Sequence, residues 1–313
     1  WSNQFESDAD YWKRLSTIIV VGAATIFLLL TLHPDLIFSN NTPTGGDMGA
    51  HVWGPAFLRD HLLSNFRLAG WSMDWYAGLP IYRFYMVVPA IFILLLDIVL
   101  PYGIALKLVA VAGLLALPLC TWLFAKLARL VFPIPELLVV ASTVFLFDES
   151  FTIYGGNIAS TMAGEFSFSI ALAFSILGFG VFLRGLETGK YRIASTLLLA
   201  LAALSHGIVL LFVFLGYVLI LAMHRDAAKW KFGLPVIGTA TLLSAFWVVP
   251  FVLNHSYMTD MKYEPQPTGY GESFIDMFFP LHTVFNVIVM GFAMVGFLSA
   301  LWRRKNTASW MGI

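Results

Sequence analysis

The stretch TPTGGDMGAHVWGPAFLRDH, Thr42–His61, follows a first hydrophobic run and organises the rest of the chain. Asp47 stands on a Gly45-Gly46 elbow, where glycine permits the backbone angles that a sharp exit from a membrane requires. Asp47 and His51 are four residues apart. A helix that begins at Met48 takes Asp47 as its N-cap and carries His51 one turn on, so that both face one site. The remaining sequence reads as a scaffold that holds this segment at a membrane surface.

The composition supports that frame. Hydrophobic residues make up 59% of the 313 and charged ones 12%, and the mean hydropathy is +0.82, too apolar for a soluble globule. Phe (28), Trp (10) and Tyr (11) are abundant, as expected where rings sit at lipid headgroups. The formal net charge of zero offers nothing to a nucleic-acid polyanion, which removes that partner. Cys120, the sole cysteine, lies inside a hydrophobic run and reads as a small buried side chain. No CxxC, HExxH or GxGxxG pattern supports a zinc hydrolase or a dinucleotide fold. The chain opens at Trp1 and ends among spans, so a piece of a longer protein is expected.

Sidedness follows from the basic residues, which concentrate on the cytoplasmic side of membrane proteins. A first span at about 16–32 follows Lys13 and Arg14, which places the N-terminus inside. Residues 34–104 then form a long outer connection. Its first part, 49–66, has Leu58, Leu62 and Phe66 at helical spacing and Arg59 and Asp60 on another face, the pattern of an amphipathic surface helix. GWSMDWYAGLPIYRFY is a turn-rich aromatic segment suited to an interface. The run 86–100 falls short of the roughly 20 residues a crossing needs. Treating it as a helix that dips in without crossing keeps most of the 18 Lys and Arg on one side. The later spans then lie at about 104–125, 134–152, 166–183, 192–205, 208–223, 233–253 and 282–302. This is an all-α polytopic membrane domain of about eight transmembrane helices filling residues 1–313, with further outer loops at 148–165 and 254–281. The uncharged run 192–223 is read as a tight hairpin with Ser205-His206-Gly207 at its outer tip; one long kinked span is the alternative. There are no internal repeats, low-complexity tracts or soluble domains.

Acids and histidines gather in the outer loops, and polar groups next to lipid need a reason. Asp47 is the candidate general base, able to take a proton from an attacking hydroxyl; the plain alternative is a helix N-cap. His51 is placed to steer a phosphate or an acceptor hydroxyl, or is an interface histidine. Arg59 and Arg83 are candidates for a lipid-linked phosphate, since arginine binds phosphate in a fork, though each alone is commonly a snorkelling surface residue. Tyr154-Gly155-Gly156-Asn157 brings backbone close to a partner, and Asn157 and Glu165 flank a small-residue turn able to accept a sugar ring; a helix-linking loop is the alternative. Asp148 and Glu149 with Asp47 leave room for a divalent cation. His206 at the hairpin tip and His255, beside Asp260 and Glu264 in the last outer loop, complete the candidate binding set.

In order of parts the chain resembles the GT-C class of membrane glycosyltransferases, which includes oligosaccharyltransferase catalytic subunits, protein mannosyltransferases and arabinofuranosyltransferases. GGDMGAHVWGPAFLRDHLL, GWSMDWYAGLP, FTIYGGNIASTMAGEF and FWVVPFVLNHSYMTDM look more closely like actinobacterial membrane proteins labelled 6-pyruvoyl-tetrahydropterin synthase-related. That label names a soluble zinc enzyme to which nothing in this chain corresponds. The resemblance spans nearly all of the chain. It implies transfer of a sugar from a polyprenyl-phosphate donor to a glycan or lipid acceptor at the outer face of the plasma membrane, by inverting displacement. It also implies that Asp47 takes the role of the first-loop acid. Asn157 and Glu165 match the second-loop acids of oligosaccharyltransferases only in part, which leaves the metal requirement open. Two other functions are carried beside this one: a lipid-linked-sugar transporter or flippase, and a non-catalytic subunit that scaffolds a membrane partner. A closed surface with no cavity at Asp47 is the mark of the last.

Overall fold

The computed structural model describes residues 2–75, 77–149, 154–258 and 284–303. Residues 1–251 form one compact unit and 252–313 a second. In chain order the helices of the first unit are α1 (Ser2–Thr31), α2 (Pro34–Ile37), α3 (Met48–Phe57), α4 (Val88–Asp97), α5 (Tyr102–Leu127), α6 (Ile134–Leu146), α7 (Ile158–Ser160), α8 (Phe166–Thr188), α9 (Arg192–Ala203), α10 (Gly207–Ala222) and most of α11 (Ala227–Asn254). The second unit holds the end of α11, a 3-10 turn at His255–Tyr257 and α12 (Val284–Arg303). The stretch beyond residue 258 that is expected as the last outer loop, with Asp260 and Glu264, lies outside the described residues, as do residues 150–153 of the expected second loop.

Among the described residues, four stretches are long and apolar enough to cross a bilayer: Asp10–Thr31, Tyr102–Leu127, Ile158–Thr188 and Ala227–Tyr257. These make the chain an all-α membrane protein. The helices at Ile134–Leu146, Arg192–Ala203 and Gly207–Ala222 have 13, 12 and 16 residues, below the ~20 that a full crossing takes. α4 has ten residues, about 15 Å of rise, and is too short to cross.

The centre of the first unit is the pairing of α5 with α8. Small residues let the two backbones touch. A Cβ on Gly113 of α5 would overlap the α8 backbone at Ser169 and Ile170, and one on Gly180 of α8 would stand 2.8 Å from Phe124 Cα. Around this seam Leu106, Leu114, Ala171 and Phe182 are fully buried. α9 and α10 fold back on each other: Tyr217, ten residues past Gly207, donates its hydroxyl to the Ser195 carbonyl near the start of α9 at 3.4 Å. The run 192–223 is therefore a hairpin, and His206 sits at its turn in an extended conformation.

Two expectations need correction. The amphipathic helix does begin at Met48, but after Phe57 it passes through a π turn (Leu58–Leu62) and a 3-10 turn (Leu63–Asn65). Those changes of period keep Leu58 and Leu62 buried and rotate Phe66, at φ 55°, into full exposure. The second loop is also shorter than expected. Helix restarts at Ile158, runs through a π turn at Thr161–Glu165 and continues directly into α8. Within the aromatic segment, Gly70–Ser72 (β1) pairs antiparallel with Leu79–Ile81 (β2), Trp71 opposite Pro80.

Candidate functional site

The Gly45-Gly46 elbow and the π turn before α8 lock together. Gly46 has φ 50° and packs so closely on Ala163 that a Cβ would overlap its carbonyl. The Asp47 N–H donates to that same carbonyl at 2.7 Å. Across the contact, Gly164 has φ 126°, and a Cβ there would stand 2.8 Å from Asp47 Cβ. Only glycine meets both demands, since an L side chain is strained at these angles before any clash is counted. The contact fixes Asp47 beside the residue that follows the kink, Glu165.

Asp47 takes the N-cap position of α3, yet its side chain makes no capping bond. It stays exposed and opens into a cavity of about 370 Å3, within the roughly 300–1,000 Å3 of small-molecule sites. His51, one turn on, lines the same cavity. The imidazole lies 4.8 Å from the Phe166 ring and 5.5 Å from the Tyr85 ring, centre to centre. Burial lowers its pKa below the ordinary 6.5; the charges of Glu165 and Asp47 and a hydrogen bond to the Gly164 backbone oppose this in part. His51 is therefore neutral at pH 7.

Glu165 also lines the cavity. Its Oε2 lies 3.3 Å from Nε2 of His206, which reaches it from the hairpin turn. His206 is buried against Phe168, and among the described residues its Nδ1 has no hydrogen-bond partner. Tyr85 donates its hydroxyl to Ser167 Oγ at 3.3 Å, and burial raises its pKa, so the phenol stays protonated. Trp53, Trp75, Tyr82, Phe84 and Phe166 complete the aromatic wall. Trp75, in the turn-rich segment whose composition suits an interface, meets Trp53 of α3 edge to face at 5.5 Å, a contact that no local pattern announces.

The other candidates lie elsewhere. Arg59 is held by Asp60 and Asp97, both at 2.7 Å, and stacks over Tyr102 at 5.5 Å. It ties the π turn after α3 to the end of α4. Arg83 is exposed and lines a separate recess of about 30 Å3 beside Trp247. Asn157 is wholly buried: its side chain accepts from the Ser160 N–H at 2.8 Å and donates to the Asp148 carbonyl, so it caps α7. Tyr154 is exposed and does not line the cavity. His255 belongs to the second unit, where its ring meets the Val252 carbonyl at 2.8 Å. Among the described residues, no group of three or more His, Cys, Asp or Glu side chains is arranged to hold a metal ion. Asp148 and Glu149 thus form no ligand set with Asp47.

Fold and site define a helical membrane protein with an acid-bearing, aromatic-walled cavity. Comparison with family models, curated proteins and solved structures found no match.

Proposed function

We propose that the protein is a glycosyltransferase that moves a sugar from a polyprenyl-phosphate donor to a cell-envelope acceptor, with Asp47 as general base. The observation that carries this reading is the Asp47 carboxylate: released from helix capping, it points into a cavity of about 370 Å3 beside Glu165 and His51. A base must reach the hydroxyl it activates, and an uncommitted carboxylate on a cavity wall is so placed. Aromatic rings suit the apolar faces of a sugar. A second, wholly apolar groove of about 390 Å3 runs between α4, α5 and α8, lined by Phe92, Leu96, Leu108 and Phe174, and fits a lipid chain. An open cavity at Asp47 also speaks against a scaffold subunit.

The orientation belongs to the proposal. We count α6, α9, α10 and α12 as crossings beside the four long stretches, about eight in all. Lys13 and Arg14 then lie inside, and the cavity faces the extracytoplasmic side of the plasma membrane. The test is a proteoliposome assay with a polyprenyl-phosphate donor labelled in its sugar. Label recovered in an acceptor supports the reading. Label that crosses the bilayer still attached to its lipid identifies a transporter and overturns it.

A further inference from the structure

The cavity wall has an unusual charge balance for a site that handles a phosphorylated lipid. Its ionisable groups are two carboxylates, Asp47 and Glu165, the neutral His51 and tyrosine hydroxyls. Among the described residues no Lys or Arg lines it. The arginines of the same segment are placed elsewhere, Arg59 between Asp60 and Asp97 and Arg83 in its own recess. His206 meets Glu165 but is not part of the wall.

Trp53, Trp75, Tyr82, Phe84, Tyr85 and Phe166 set aromatic rings among the aliphatic residues of the remaining wall. Trp53 and Trp75 form one edge-to-face pair at 5.5 Å, and Tyr85 lies beside His51. Aromatic faces carry negative potential and attract cations, most strongly where water is excluded. An anion entering this space meets two carboxylates and, among the described residues, no Lys or Arg of the wall to offset them. A protonated amine gains from both the carboxylates and the rings.

We propose that the cavity selects an amino sugar, whose protonated amine sits between the Asp47 and Glu165 carboxylates and the tryptophan faces. That this sugar is also transferred rests on the glycosyltransferase reading; the selection itself does not. The donor phosphate then stays outside this cavity.

The experiment uses the full chain in nanodiscs, with tryptophan fluorescence and calorimetry reporting binding. The probes are methyl glucosaminide, its N-acetyl derivative, methyl glucoside and tetramethylammonium. The amine is expected to bind at least about tenfold tighter than either neutral sugar, and tetramethylammonium to compete with it. In the Asp47→Asn, Glu165→Gln double variant the preference should fall to within about twofold, while a Trp53→Phe variant, which keeps a ring, should retain most of it. Circular dichroism establishes that both variants fold. Equal or tighter binding of the neutral sugars, no binding of any cation, or a preference that survives loss of both carboxylates would overturn the proposal. Amine selection without label transfer sinks only the transferase reading, and transfer without amine selection sinks only this one.

Discussion

Gly164 and Asp47 sit so close that a single methyl group on the glycine would stand 2.8 Å from the aspartate Cβ. The kink ahead of α8 and the entry to α3 therefore depend on one another. Gly164→Ala is expected to cost about 2 kcal/mol or more, from a strained φ of 126° together with overlap against Asp47. Gly189, at φ 71° with open space around it, is the control: Gly189→Ala carries only the backbone strain, about 1 kcal/mol. Denaturation midpoints of the two variants in one detergent check the difference. Equal losses would mean that the elbow and the kink are not coupled.

Asn157 is expected to act on stability and not on ligand. Its side chain caps α7 and is wholly buried, so Asn157→Ala should lower stability by about 1–2 kcal/mol. Sugar binding by the folded variant should stay within about twofold of the wild type. A selective loss of binding at unchanged thermal stability would return Asn157 to the site.

The His51 environment sets a pH dependence. In the unfolded chain its imidazole takes up a proton as pH falls through about 6.5, whereas burial holds the folded-state value lower. Its contribution to stability is thus full above pH 6.5 and is lost as pH drops toward the folded value. Thermal scans between pH 7.5 and about 5 should show a decline in the wild type that is shallower in His51→Gln. Parallel profiles would place the imidazole in water.

Much of this arrangement is legible in the residues themselves. The Gly-Gly-Asp elbow and the spacing of four to His51 are local features, and a helix starting at Met48 brings the two together. The hairpin at His206 follows from a run too long for one crossing. What escapes the sequence is non-local or depends on a change of helical period. Glu165 and His206 are 41 positions apart, and no pattern in either segment announces their contact. Phe66 has the spacing of a buried stripe, but a π turn four residues upstream breaks the phase. Asn157 caps a helix whose first residues include Ala159, Ser160 and Thr161, small enough to suit either a helix or a loop. Aromatic residues are the hardest case: in a membrane chain the same composition serves a lipid interface and a cavity wall, and only packing separates Trp53 from the exposed Trp71.

The most direct measurement is the single-turnover rate of sugar transfer by Asp47→Asn, with donor binding determined on the same sample. Loss of about 10²–10⁴-fold in the single-turnover rate at saturating donor is the expected result for a general base. Transfer at the wild-type rate from a folded Asp47→Asn protein would contradict the account.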